Sequence, residues 1–363
     1  MEYVIDRIKR LLSWAQRNER HLGAVLFVFG FGTDLITFAL LPVTFVNLAF
    51  LGYLALATIC TLGSHLFSRL SEEATLWRKT LAVLFPLGAQ YAIGSLLSGC
   101  LIFYAKSAAV FVSWPFLLIL ALVFIGNEYF RKYYEHLAFQ VLLLFFGIYA
   151  YAIFALPLLL HRLGSWVFIG STAIAVIALA LVLRLMARLG RAGYEQSLRY
   201  VIPGAALIVV VMCASYFTGI IPPIPLTMPA AGIYHDVHRE GDHYVVALEN
   251  ERPWWDIRTQ VIHHVPGTPL FAYSAVSAPF AFGTSVVHVW EHKEYGKWVE
   301  RSRATFRIAG GRDGGYRGYS EVLDAVAGDW RVTIETTDRQ VIGRLYATVE
   351  TVTEPPLIKE ENR

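Results

Sequence analysis

Residues Arg199–Leu226 read RYVIPGAALIVVVMCASYFTGIIPPIPL. Between Tyr200 and Ile221 there is no charged side chain, and an apolar run of this length is what a helix needs to cross about 30 Å of hydrocarbon. Pro222, Pro223 and Pro225 then end the helix, because proline brings neither a backbone N–H nor free rotation about φ. Long apolar runs precede this stretch and short alternating ones follow it. The expected fold is a membrane all-α bundle of about seven transmembrane helices followed by an all-β, sandwich-like soluble domain. The expected limits are an amphipathic basic segment over 1–21, a multi-span domain over 22–226, an extracytoplasmic β-domain over 227–353 and a disordered tail over 354–363.

Composition agrees with a chain of two characters. Of 363 residues, 56% are hydrophobic and 16% charged, against about a quarter charged in an average soluble domain. Up to Leu226 the chain has 16 Lys and Arg against 9 acids, and beyond it 15 against 19, so the halves carry +7 and −4. A β-domain of net negative charge is a poor partner for nucleic acid, whose binding rests on neutralised phosphates. Cys60, Cys100 and Cys213 all lie in apolar runs, which leaves the β-domain without a disulfide framework or a thiolate metal site.

Seven spans are expected, near Leu22–Leu41, Val46–Leu66, Leu81–Phe103, Val110–Ile125, Leu137–Leu160, Trp166–Leu183 and Tyr200–Ile221. The N-terminal segment and alternate loops carry fourteen Lys and Arg, the intervening loops only Lys106 and Arg162. That asymmetry places the N-terminus in the cytoplasm and, after an odd number of crossings, the C-terminal domain outside it. The spacing of Val4, Ile8, Leu11, Leu12 and Ala15 makes the first segment amphipathic, with arginines that set topology or meet an anionic leaflet.

Beyond the prolines, alternation predicts strands over His243–Glu249, Asp256–Val265, Leu270–Ser277, Ser285–His292, Trp298–Ile308, Trp330–Thr336 and Val341–Val349. Thr337–Gln340 is read as the turn of a hairpin, and several short strands at this spacing argue for a small antiparallel sandwich or barrel.

The pieces AYSAVSAP (Ala272–Pro279), VVHVWEH (Val286–His292), GGRDGGYRGYS (Gly310–Ser320), GDWRVTIET (Gly328–Thr336) and VIGR (Val341–Arg344) follow one another in order. In that series Ala272–Val349 resembles a bacterial domain of unknown function, the one numbered 2914. The multi-span half, through GFGTDLIT (Gly30–Thr37), GSLLS (Gly94–Ser98), Asn127–Glu128 and PPIPL (Pro222–Leu226), is similar to the region that precedes this domain in relatives. The resemblance implies an integral membrane protein with a small β-domain, and no activity.

Two groups of residues stand out. Asp34 lies two-thirds along the first span, where a carboxylate costs roughly 2.5–3.5 kcal/mol on insertion scales. Gln90, Tyr91, Ser95 and Ser98 on the third span are at a depth to meet it, as a proton- or ligand-binding site or as a polar clasp between helices. In the β-domain, Arg303, Arg307, Arg312, Tyr316, Arg317 and Tyr319 lie on or beside a Gly-rich stretch read as a long hairpin loop. They are the candidate ligand-binding loop, suited to a lipid headgroup or an anionic glycan, against a solvated face paired with Glu300, Asp313 and Glu321. Asn127 and Glu128 are read as a helix-end pair with Arg131 and Lys132. Seven of the eleven histidines fall in the β-domain, yet His288 and His292 stand about 13 Å apart along a strand, and no HExxH motif occurs. No metal, cofactor or nucleophile constellation is expected, and so no catalytic residue.

The expected role is an inner-membrane envelope interaction or sensing module whose β-domain binds an envelope protein, lipid headgroup or glycan. The alternative is a transporter or membrane-embedded enzyme built around Asp34.

Overall fold

The computed structural model describes residues 31–38, 43–67, 75–105, 110–129, 133, 136–190, 194–221, 226–241, 243–249, 259–277, 285–307, 316–323 and 325–363. The basic N-terminal segment and most of the expected first span lie outside these. The helices are α1 (described over 31–38), α2 (Val43–Phe67), α3 (Leu76–Ala105), α4 (Val110–Tyr129), α5 (Leu137–Leu160), α6 (Ser165–Leu189) and α7 (Tyr194–Phe217). Five of these, α2, α3, α5, α6 and α7, contain stretches long and apolar enough to cross a bilayer. The apolar part of α4 is Ser113–Tyr129, shorter than the rest. Helix α6 runs past the expected end through Arg184 and Arg188, and α7 begins before Arg199. A charged residue ends an apolar window without interrupting the backbone hydrogen bonds.

Helix α7 stops where a left-handed residue lets it. Gly219 has φ +72°; its N–H reaches Tyr216 O at 3.0 Å, and Ile220 N–H reaches Ser215 O at 2.9 Å. This is the paired closure of a Schellman cap.

The chain divides into two compact units by contact density, Met1–Phe103 with Leu118–Tyr151 and Ala173–Val210, and Tyr104–Leu117 with Ala152–Thr172 and Val211–Arg363. Within the first, α5 is the hub. Its apolar window is 83% buried, against 28–33% in the other four. Leu96 of α3 packs on Gly147, Leu142 packs on Gly204 of α7, and Tyr151 donates to Asn47 Oδ1 of α2 at 2.6 Å. The His65 ring of α2 hydrogen-bonds through Nε2 to Met186 O and Gly190 O at 3.1 and 2.9 Å, at the end of α6. Met186 O already accepts the Gly190 N–H, so the ring adds a second donor there and serves Gly190 O, beyond the last turn.

Among the described residues the second unit has eleven strands: β1 (Thr227–Tyr234), β2 (Asp236–Glu240), β3 (His243–Leu248), β4 (Gln260–His264), β5 (Leu270–Ser277), β6 (Ser285–Glu294), β7 (Lys297–Arg307), β8 (Tyr316–Val322), β9 (Gly328–Thr336), β10 (Val341–Thr351) and β11 (Lys359–Asn362). They form three sheets, ordered β1-β5-β8, β4-β10-β9-β6-β7 and β11-β3-β2. All pairs are antiparallel except β4 with β10.

Strand β5 explains the layering. Leu270 and Ala272 join a core with Trp290, Trp330, Val332, Ala347 and Val349 of the five-stranded sheet. Phe271, Tyr273 and Ala275, on the other face, join Val237, Val246 and Leu248 of the β2–β3 sheet. A strand buried on both faces reads as a near-continuous apolar run, and LFAYSAV does, interrupted only by Ser274. The fold is therefore three-layered, with β1-β5-β8 in the middle.

Two expectations are corrected. The Gly-rich stretch does not close a hairpin, since β7 pairs with β6 and β8 pairs with β5. Residues 308–315 lie outside the described residues. The charged tail is not structureless: Lys359–Asn362 adds to the edge of β3. Its side chains stay mostly exposed, so the composition reads as solvated while the backbone satisfies an open strand edge.

Candidate functional site

The middle sheet turns one face toward β3 and β2, and register decides what shows there. Tyr319 of β8 stands opposite Tyr273 of β5, and Arg317 opposite Ala275. On the far side of β5, Gly232 of β1 faces Tyr273, and Tyr234 faces Phe271. Side chains alternate along a strand, so Arg317 and Tyr319 share this face with Phe271, Tyr273 and Tyr234. A Cβ on Gly232 would lie 2.5 Å from the Tyr234 hydroxyl, so glycine leaves the space that ring occupies. Tyr244 of β3 closes over the group, 5.6 Å from the Tyr273 ring and 6.1 Å from that of Tyr319. Phe271 lies 6.0 Å from Tyr319.

The result is an aromatic cluster with a deep end and an open one. Tyr273 is fully buried, and its hydroxyl has no hydrogen-bond partner, which costs roughly 1–3 kcal/mol. Burial raises the Tyr273 phenol above its ordinary value, with the charges of Arg317 and Arg363 pulling the other way. The hydroxyl therefore stays a donor. Tyr234 is likewise raised by burial, beside Arg363. At the open end Tyr319 is 43% exposed. Arg363, hydrogen-bonded through its backbone to Tyr244, is paired with Glu361 at 3.1 Å. Rings, guanidinium groups and a carboxylate at one mouth suit a polar ligand with a ring face and hydroxyls.

The other arginines fall elsewhere. Arg303 projects from the outer face of the five-stranded sheet, held at 3.0 Å by Glu300 and at 3.0 Å by Glu335. Arg307 is on the same strand, opposite Ser285, and Arg312 lies outside the described residues. Of the expected loop residues, Arg317 and Tyr319 lie in this cluster, beside Tyr234, Tyr244, Phe271 and Tyr273, which the sequence reading did not single out. The i, i+2 aromatic spacing of Phe271 and Tyr273 was the available signal.

The histidines serve structure. His288 is buried between Ser274 (2.8 Å) and Ser320 (2.9 Å), and Trp290 Nε1 also donates to Ser320 Oγ at 2.9 Å. Burial pushes His288 down to about 4, so its ring is neutral. Glu249 receives His263 Nδ1 at 2.6 Å, the His263 N–H at 2.7 Å and His235 Nε2 at 2.8 Å. Burial works to raise Glu249, and these hydrogen bonds outweigh it and lower it. The same carboxylate raises His263. Among the described residues no three His, Cys, Asp or Glu side chains are arranged to hold a metal.

In the helices the expected polar group divides in two. Asp34 faces Ser98, and Tyr53 of α2 stands within reach of Ser95, Tyr91 and the Asp34 charge. Gln90 turns away to α4: its Nε2 donates to Glu128 Oε2 at 3.0 Å, and Asn127 Nδ2 donates to Gln90 O at 3.2 Å. Gly94 makes room for Asn127, whose Nδ2 would lie 3.0 Å from a Cβ there. Glu128 is thus held by a helix amide; Arg131 and Lys132 lie outside the described residues.

No curated protein matches the chain. A solved structure of Pseudomonas fluorescens alkylpurine DNA glycosylase AlkC, bound to DNA containing an abasic site analog, aligns over 77% of this chain and 84% of that one at 9% identity. Its TM-score of 0.21 is too low to carry an argument about fold or function. Residues 283–349, from the start of β6 into β10, match the family model described as protein of unknown function (DUF2914).

Proposed function

We propose that the protein is a multi-pass inner-membrane protein of a bacterium whose extracytoplasmic β-domain binds an envelope ligand, with the helices as its anchor. Five long apolar helices support the membrane reading, and the Lys and Arg asymmetry of the loops supports a cytoplasmic N-terminus. The observation that carries ligand binding is the unpartnered hydroxyl of buried Tyr273 beneath the Tyr244 and Tyr319 rings. A ligand hydroxyl or headgroup oxygen reaching it would satisfy a donor that folding leaves open, while Arg317 and Tyr319 hold the rim. The role is recognition rather than catalysis.

The test is binding by the full chain in nanodiscs, titrated with soluble peptidoglycan fragments and, separately, with vesicles containing anionic phospholipid. One of the two should bind, and Tyr319→Ala with Arg317→Ala should weaken it at least tenfold, the equivalent of about 1.4 kcal/mol. Binding of neither probe, or equal binding by the double variant, sinks the reading.

A further inference from the structure

Strand β7 has 11 residues and β8 has 7, and each ends its sheet, β7 the five-stranded one and β8 the middle one. Among the described residues no strand pairs with the far side of either. The two strands meet where Phe306 sits on Gly318, a position at which a Cβ would clash with the ring. From there β8 ends at Val322, while β7 runs all the way back to Lys297. The overhang leaves a cavity of about 540 Å³. It is lined by Arg301 and Ser302 of β7, by Glu321, Leu323 and Val326 at and after the end of β8, and by buried Trp330.

Its mouth is apolar to an unusual degree. Leu323 is 62% exposed and Val326 51%. Val299, across from His292 on β6, is 38% exposed. Single apolar side chains on a surface are ordinary, but several around one concavity mark a docking site. The volume also falls in the range of roughly 300–1,000 Å³ over which pockets hold ligands. The charges at the mouth are uneven. Arg301 is ion-paired with Glu294, whereas exposed Glu321 has no ionic partner among the described residues.

We propose that this edge receives an extended segment of another protein by strand addition. The segment's backbone pairs with the open side of β7, one apolar side chain fills the cavity against Leu323 and Val326, and a Lys or Arg two residues along meets Glu321. An open row of N–H and C=O groups gives affinity to any extended chain, and a cavity beside it selects one of the alternating side chains. A small apolar molecule would fill the cavity and leave the β7 backbone open. A second copy of this chain fits poorly, because Lys297, Glu300, Arg301 and Arg303 crowd β7 with charge, which discourages an edge from pairing with itself. The site is separate from the Tyr273 cluster: Val322 and Trp330 belong to one core and Tyr273 to the core on the opposite face of the middle sheet.

The experiment uses the full chain in nanodiscs and the acetylated, amidated peptide Thr-Leu-Thr-Lys-Thr. Thr-Leu-Thr-Glu-Thr and Thr-Ser-Thr-Lys-Thr are the comparisons. Binding is read by polarisation of a labelled peptide and by hydrogen exchange of the protein. The first peptide should bind roughly tenfold or more tightly than either comparison and slow the exchange of amides within Lys297–Arg307. Leu323→Ser should weaken it by a similar factor, and Glu321→Gln should erase the preference for Lys over Glu. Both side chains are exposed, so neither variant should lower the melting temperature. Equal affinity for the three peptides overturns the proposal, as does binding that leaves β7 exchange unchanged or that survives Leu323→Ser undiminished. Protection of β7 that grows with protein concentration in the absence of peptide would assign the edge to a second copy and overturn it too.

Discussion

His288 shows how one side chain can set the acid limit of the β-domain. Its ring is buried and its pKa depressed to about 4 from an ordinary 6.5. A histidine held neutral contributes nothing to pH dependence above 6.5. Below that, the unfolded chain takes a proton that the folded one refuses, so stability falls as pH falls toward 4. The loss amounts to roughly 3 kcal/mol over that window. Glu249 and His263 act in the opposite sense. His263, raised above 6.5, contributes fully below that pH and is lost as pH rises through its folded value. Glu249, lowered below 4.5, contributes above 4.5 and is lost as pH falls through its folded value. Their pairing is therefore strongest between 4.5 and 6.5, inside the window where His288 destabilises. Because His263 is 42% exposed at its side chain, solvent screens its share, and His288 should dominate. We expect the melting temperature of the full chain to drop between pH 7 and pH 5, and His288→Gln to flatten that drop. An unchanged acid slope in His288→Gln would remove buried histidine as the cause. Glu249→Gln should steepen the slope, because it deletes the opposing contribution.

At the scale of elements, legibility followed side-chain chemistry. Strands β5, β6, β7, β9 and β10 announce themselves by alternating or continuous apolar residues between turn signals, and their observed limits lie within a few residues of those expected. Strands β1, β2 and β11 do not. β1 reads TMPAAGIY and β11 reads KEEN, and each owes its conformation to a partner's open edge. Likewise, depth pairs Asp34 with α3, where Ser98 is beside it, but could not show that a short α4 would claim Gln90. Two predictions belong here. Gly164, in the turn between α5 and α6, has φ +126°, and a Cβ there would lie 2.6 Å from Asp338 Oδ2 at the tip of the β9–β10 hairpin. Gly164→Ala should lower the melting temperature through both clash and backbone strain. Asp338→Ala in the same chain should recover only the clash, and full recovery would show that φ is not a constraint. Trp330, 2% exposed, packs edge-on to Trp290 at 6.1 Å. Trp330→Ala should cost about 3–5 kcal/mol, read as a shift in the denaturant midpoint of the full chain. A cost under 1 kcal/mol would mean that the five-stranded sheet is not the packed core of the second unit.

For the whole molecule the deciding quantity is which side of the lipid receives each loop. Fourteen Lys and Arg on one set of segments against two on the other is a bias read from sequence alone, and it acts during insertion, before any tertiary contact exists. The topology therefore depends on the parity of the crossings rather than on the packing of the bundle. Five helices qualify by length and composition. Helix α4 has the fewest residues of the six helices described in full, α2 to α7, and α1 is described only over 31–38. If α1 and α4 both cross, seven crossings export the strands; if just one of them does, the strands stay with the N-terminus. A reporter fused after Arg363 separates these cases, since alkaline phosphatase is active only outside the cytoplasm and a green fluorescent protein exported unfolded is dark. We expect phosphatase activity and no fluorescence, with fusions after Ala105 matching and fusions after Gly190 giving the reverse. Lys or Arg introduced beside Lys106 should weaken the alternation, whereas acids there should leave it nearly unchanged. A fluorescent fusion after Arg363 would put the Tyr273 cluster in the cytoplasm, out of reach of any envelope ligand.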